Sequence, residues 1–169
     1  MPDICDVILA EHGYFRRAFS DLYGARDAGP EALTSRWQPL AAVFERHAAA
    51  EEEIFYPALL PRAEEGVEET EDAIKDHNAI RDAVRDAEQH DVGSDAWWQA
   101  VGRARSENDE HMEEEEKEGL PDFTAHSEAS FRQELGARFL AFNAAHPCAE
   151  GLDLSDKDPD EYIRAHSGG

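Results

Sequence analysis

Lysine is scarce in this chain: three of its 16 basic residues are Lys, against 39 acidic residues and a formal net charge of −23 over 169 residues. No basic patch offsets that excess. Phosphate backbones and anionic headgroups are repelled by it, so neither nucleic acid nor a membrane surface is expected as a partner. A salt-tolerant, heavily hydrated surface and a generic acidic soluble protein are both compatible with the charge. Cysteine is nearly missing: Cys5 and Cys148 lie far apart without Cys-x-x-Cys spacing, which removes a disulfide framework and a thiolate zinc site and leaves two structural thiols. No apolar stretch approaches the roughly 18 residues of a membrane span, and no basic region followed by an apolar run opens the chain. The expected compartment is the cytoplasm. No Ser-His-Asp arrangement or glycine-rich phosphate loop is present.

What is present favours packed helices. The chain is 41% hydrophobic and 33% charged, rich in Ala, Glu, Asp and Arg, and long enough to bury a core. Punctuation at Gly29-Pro30, Pro61 to Gly66, Asp91 to Ser94 and Gly119 to Pro121 divides it into four helices, with Ser94 as an N-cap. Short connections make neighbouring helices antiparallel. The expected fold is all-α, an antiparallel up-down four-helix bundle with an additional C-terminal helix at about 125–145 and a short polar tail. Residues 1–146 are expected to form the bundle domain, and 147–169 an acidic, partly ordered tail.

One pattern occurs twice. "HAAAEEEIFYP" at 47–57 and "HMEEEEKEGLP" at 111–121 both read His, three residues, Glu-Glu, four residues, Pro. Superposing His12 on His77 aligns "HGYFRRAF" with "HNAIRDAV", and the next His follows 35 residues after His12 and 34 after His77. Two helix pairs in tandem result, each with His on its first helix and His-x-x-x-Glu on its second.

Those polar residues fall on apolar stripes. Ile8, His12, Phe15, Phe19 and Leu22 follow helical spacing, as do Leu40, Phe44, His47, Glu51 and Ile54; Ile74, His77, Ile80 and Val84; and Trp97, Val101, Ala104, Asn108, His111 and Glu115. Four helices thus aim imidazoles inward, and two also aim carboxylates. Facing buried carboxylates repel one another and need something positive between them. A dinuclear metal centre meets that need, because His and Glu four apart lie on one helix face and can address one ion or adjacent ions. The repeat selects Glu51 and Glu115. Glu113, Glu114 and Glu116 read as solvated face, with a seventh ligand or a base beside the ligands left open among them and Glu52. His90, His126, His146 and His166 lie outside the repeat and read as surface residues. Tyr14 and Tyr56 read as core packing, with a hydrogen bond to a bound oxygen species as the other reading. Trp97 reads as a packing plug; Arg81 either forms a surface salt bridge or closes the pocket mouth.

On "AEH" at 10–12, "HAAAEEEIFYP", "DHNAIRD" at 76–82 and "HMEEEEKEGLP", the chain resembles hemerythrin-like proteins of the HHE cation-binding class over roughly residues 1–145. The resemblance implies a four-helix bundle holding two iron ions as an oxo- or hydroxo-bridged non-haem centre, with ligands His12, His47, Glu51, His77, His111 and Glu115. Oxygen-carrying hemerythrins usually have a fifth histidine from His-x-x-x-His on the third helix, and an Asp five residues after the fourth-helix His. Here Arg81 and Glu115 occupy the corresponding places, which is closer to bacterial hemerythrin-like proteins. The implied function is binding, and reduction, of a small oxidant such as dioxygen, hydrogen peroxide or nitric oxide in redox or nitrosative stress. A sleeve of Phe15, Phe44, Ile80 and Trp97 would exclude bulk water. The alternative is a non-catalytic oxygen, redox or iron sensor, or an iron store. A redox partner protein, and a monomer or weak homodimer, complete the expectation.

Overall fold

The computed structural model describes residues 2–167. Its elements are α1 (Ile4–Gly24), α2 (Pro30–Ala50), α3 (Tyr56–Leu59), α4 (Gly66–Glu88), α5 (Asp95–Glu114), α6 (Leu120–Ala125), α7 (Ala129–Ala145) and α8 (Pro159–His166). Local chemistry sets the ends. Asp3 accepts from the Cys5 N–H, Ser94 accepts from Trp97 N–H as expected, and Gly29 takes φ 89° so that Pro30 can open α2. The described chain is all-α: a four-helix bundle, with α7 laid against α1 and α2.

Between α2 and α3, and between α5 and α6, the chain runs through a wide π turn, Glu51–Phe55 and Glu115–Gly119. In each, the N–H five residues on bonds back to the first carbonyl: Tyr56 to Glu51, and Leu120 to Glu115. The next residue in each is the repeated proline, Pro57 or Pro121. Proline has no N–H, and in a regular helix its ring clashes with the carbonyl four residues back. Widening the turn by one residue re-registers the ladder ahead of the ring, so the helix passes the proline instead of stopping. Gly119 to Pro121 therefore does not end the fourth helical run, which continues through α6 to Ala125.

The core is cut in two. One apolar cluster gathers Phe15, Phe19, Phe44, Val84, Trp97 and Val101; the other gathers Ile8, Ile54, Phe55, Ile74, Phe123 and Phe139. A layer of buried polar residues lies between their positions along all four helices: His12, His47, Glu51, His77, His111 and Glu115. Phe139 and Leu135 bring α7 onto the second cluster, and Gly136 permits the approach, since a Cβ there would collide with the Pro2 carbonyl. The region beyond Pro147 is more structured than a polar tail. It wraps back to α4 and ends in α8, capped by Asp158 and holding Tyr162 buried. Among the described residues, no helix is long and apolar enough to cross a membrane.

Candidate metal centre

All six candidate residues converge. His12, His47, Glu51 and Glu115 bring one donor atom each within 4.8 Å of one another, and Glu51, His77 and His111 form a second such group. Glu51 belongs to both. Its Oε1 lies 3.1 Å from His47 Nε2 and its Oε2 3.2 Å from His77 Nε2, while Glu115 Oε2 lies 3.2 Å from His12 Nε2 and 3.6 Å from His111 Nε2. Exposure is at most 6% for any of the six. Yet His12 Nε2, His47 Nε2, Glu51 Oε1 and Glu115 Oε2 make no hydrogen bond of acceptable geometry, although they stand at hydrogen-bond distance. Four such buried polar atoms gathered together are costly in an apolar core, and a bound cation would satisfy all of them.

The outer nitrogen of every imidazole meets a carboxylate. His12 Nδ1 is 2.9 Å from Glu116, His47 Nδ1 2.7 Å from Glu11, His77 Nδ1 2.9 Å from Glu52 and His111 Nδ1 3.3 Å from Asp76. The acids form a ring: α1 supplies Glu11 to α2, the turn after α2 supplies Glu52 to α4, α4 supplies Asp76 to α5, and the turn after α5 supplies Glu116 to α1. Such a carboxylate fixes the tautomer and turns Nε2 inward as the free donor. Glu116, read from sequence as solvated face, and Glu52, left open there as a ligand or a base beside the ligands, are thus the partners of His12 and His77. Glu11 and Asp76 were missed, although each directly precedes a stripe histidine ("EH", "DH") in both halves of the repeat.

Tyr56 is not simple packing. The π turn stacks residue i+5 over residue i, so Tyr56 stands over Glu51, and its hydroxyl donates to Glu115 Oε1 at 2.8 Å with Glu51 Oε2 at 3.5 Å. Burial, with Glu115 and Glu51 alongside, holds the phenol well above its ordinary range. In the second half of the repeat the same place is Leu120, so only one half carries a hydroxyl. Tyr14 is half-buried and packs against Phe15. Phe15 stacks on Phe44 at 4.6 Å and meets His47 edge-on at 5.1 Å, whereas Trp97 packs against Trp37, 14 residues from His111 and roughly 20 Å along the helix. Trp97 is therefore a plug at the far end rather than part of the sleeve at the site. Arg81 is not at the surface, and it lines a small cavity beside His47, His77 and His111. It is 2% exposed, donating through Nη2 to Glu52 at 2.8 Å and through Nε to Glu45 at 3.3 Å. His90, His126, His146 and His166 lie at the periphery, on local partners.

The sequence profile of the Hemerythrin HHE cation binding domain matches residues 3–123. The chain belongs to that family. No curated protein and no solved structure matches significantly. Family membership and the buried His/Glu cluster together make this HHE protein a metal-binding one.

Charge in the metal-free HHE core follows from the same geometry. Burial would favour a neutral His47, but Glu51 and Glu11 outweigh it and push the imidazole from its ordinary 6.5 up to about 10. Burial likewise opposes, and Glu115 with Asp76 overcomes, in holding His111 well above its ordinary value. On Glu52, burial is outweighed by His77, Arg81 and Lys157, and the carboxyl falls from 4.5 to about 2. A raised imidazole contributes stability that is complete below its unfolded pKa and lost as pH rises through the folded one. A depressed carboxyl contributes stability complete above its unfolded pKa and lost as pH falls through the folded one. Metal-free protein should therefore be most stable between about 4.5 and 6.5, falling on the alkaline side towards 10 and on the acid side towards 2. Because a cation displaces those imidazole protons, saturating metal should move the optimum to higher pH. Melting temperatures against pH, with and without metal, check this; an unmoved optimum would contradict the assigned donors.

Proposed function

We propose that this protein is a non-haem di-iron protein that binds a small oxidant, dioxygen, hydrogen peroxide or nitric oxide, and reduces it with electrons from a redox partner protein. The observation that carries the reading is the division of Glu51 between two donor groups, which is what a carboxylate shared by two ions requires. His12, His47, Glu51 and Glu115 would hold one ion, and Glu51, His77 and His111 the other. Imidazoles and carboxylates without a thiolate suit iron. When bound, iron supplies the redox chemistry.

The chain's own residues do the rest. The four outer carboxylates orient the imidazoles. Phe15 and Phe44 exclude water on one side of the layer, and Tyr56 keeps a proton on its hydroxyl between the two carboxylates. A cavity of about 510 Å³ reaches His111, Glu115 and Tyr56 from solvent, and its walls include Glu65, Glu68, Glu69, Asp72, Glu118 and Asp122. Burial, with Asp122, Glu118 and Glu65 crowded around it, pushes the Glu69 carboxyl up to about 7. A mouth this negative admits cations and small neutral molecules and repels anions such as phosphates, which narrows the substrate to a neutral oxidant.

Titration of metal-free protein with ferrous iron in air tests the reading. Near-ultraviolet absorption should saturate at two irons per chain; saturation at one, or no band, would defeat the dinuclear assignment. Added peroxide then separates the roles: sustained consumption supports reduction, while binding without turnover supports a sensor or store. The sensor reading has one structural observation in its favour, a direct contact between the C-terminal segment and Glu52.

A further inference from the structure

We infer that the C-terminal segment 153–166 is a strap whose Lys157 and Tyr162 are positioning residues for the metal centre, acting on His77 through Glu52, so that strap docking and metal loading favour each other. The inference rests on the site reading above and adds a means of regulation to it.

Glu52 has two sides. Its Oε1 meets His77 Nδ1 at 2.9 Å and takes a hydrogen bond from Arg81 Nη2 at 2.8 Å, whereas its Oε2 forms an ion pair with Lys157 Nζ at 2.8 Å. That ion pair is close without good hydrogen-bond alignment, and among the described residues nothing else partners Oε2. Tyr162, buried beside it, donates its hydroxyl to the Glu52 backbone carbonyl. The strap therefore pins both the carboxylate and the peptide of the residue next to the shared ligand Glu51. Glu52 is 4% exposed, so withdrawing Lys157 would leave an oxygen of a buried anion unpaired.

The strap is anchored for reversible docking. It carries Asp153, Asp156, Asp158, Asp160 and Glu161 onto a chain that is already strongly acidic, which opposes its approach. Few contacts offset this. Asn78 on α4 pairs with Lys157 in both directions, Nδ2 to the carbonyl at 2.7 Å and Oδ1 from the N–H at 3.0 Å. Arg85 donates to the Leu154 carbonyl at 2.7 Å and to Asp156 at 2.9 Å. All of these lie beyond residue 123 on one side, outside the span that matches the family. A parallel contact comes from α7, where Asn143 donates to Glu11 at 2.9 Å, the carboxylate of His47. The region beyond the family span thus grips two of the four carboxylates in the ring.

The linkage has a definite sign. A cation on His77 Nε2 requires the proton on Nδ1 and an ionised acceptor held opposite it. A docked strap holds that acceptor in place. By reciprocity, a filled site must favour the docked strap by the same factor.

The test uses the full chain with Co²⁺ as probe, following its optical titration and, separately, hydrogen exchange of residues 153–166 with and without the metal. Variants are Lys157→Gln and Tyr162→Phe, each checked for helix content. Arg103→Gln serves as a charge control because Arg103 pairs with Asp86 on an exposed face. Loading should slow exchange in the wild-type strap about three- to tenfold, and each strap variant should weaken Co²⁺ binding by a similar factor, less than the roughly 10–100-fold typical of a direct partner of a ligand. Arg103→Gln should do neither. If wild-type binds two Co²⁺ per chain but strap exchange is unchanged, or either strap variant binds with wild-type affinity, the strap inference is overturned while the site reading stands. If wild-type binds no Co²⁺, the site reading fails and takes the inference with it.

Discussion

Glu51→Gln should disable both halves of the centre at once, reducing metal affinity by more than about 100-fold, since loss of a ligand should exceed the roughly 10–100-fold loss seen when only its outer partner is removed. Each carboxylate oxygen of Glu51 faces a different donor group, His47 on one side and His77 on the other. An amide keeps one weakly donating oxygen and turns an N–H₂ towards the other group, where a cation would meet a donor. Glu115→Gln is the informative contrast. Glu115 gathers most tightly with His12, His47 and Glu51 and lies farther, at 3.6 Å, from His111 Nε2, so its loss should leave Glu51, His77 and His111 able to hold one ion. Metal content after dialysis, read for both variants, checks the pair. Two ions retained by Glu51→Gln would show that Glu51 is not shared; equal losses in the two variants would show that Glu115, which also approaches His111, is shared as well.

The six inward residues were legible because helical spacing alone places them: a polar residue on an otherwise apolar stripe needs an explanation, and the repeat supplied the same one twice. The outer carboxylates were harder. Glu52 and Glu116 each directly follow an inward Glu, and Glu11 and Asp76 each directly precede an inward His, a step of about 100° around the helix that takes them off the stripe. In a chain with 39 acidic residues such positions look like hydrated surface. Their common feature, an acid before the first inward His and another after the inward Glu of each half, is present in the sequence, but it acquires meaning only when the helices are packed and each acid is seen to reach the next helix's histidine.

Pro121 illustrates a rule applied at the wrong width. The missing N–H and the ring do disfavour a regular α-helical continuation, and the expectation of an end there follows from that. The π turn beginning at Glu115 escapes the clash by changing register, and the same turn at Glu51 brings Tyr56 over the donors. The stretch "LDLSDKDPDEYIRAHSGG" poses a different difficulty. Asp158 followed by Pro159 is a helix start in plain sight, yet eight residues with a single buried aromatic cannot be stable alone. Contacts with Asn78, Arg85 and Glu52 supply what local sequence lacks, and those partners lie about 70 to 110 residues away in the chain.

Arg81, read from sequence as a surface salt bridge or a closure of the pocket mouth, makes its salt bridge in the interior, with a large expected effect. It stands one turn after His77, where oxygen-carrying hemerythrins usually place their fifth histidine, and it points its guanidinium at Glu52 and Glu45 instead of at the donors. Burial raises the Glu45 carboxyl, with Arg81 opposing it. Arg81→Met would leave the buried Glu52 and the partly buried Glu45 short of their cation, and removal of one partner from a buried pair costs about 3–5 kcal/mol. For a chain of this size that corresponds to a fall in Tm of about 6–20 °C. Arg81→Lys should recover only part of the loss, because an ammonium cannot span both carboxylates in the fixed fork that Nη2 and Nε provide. Urea denaturation of the metal-free variants reads the effect without involving the metal. A Met variant as stable as wild-type would mean that Lys157 and His77 alone satisfy Glu52, and that Arg81 is free to serve the site in some other way.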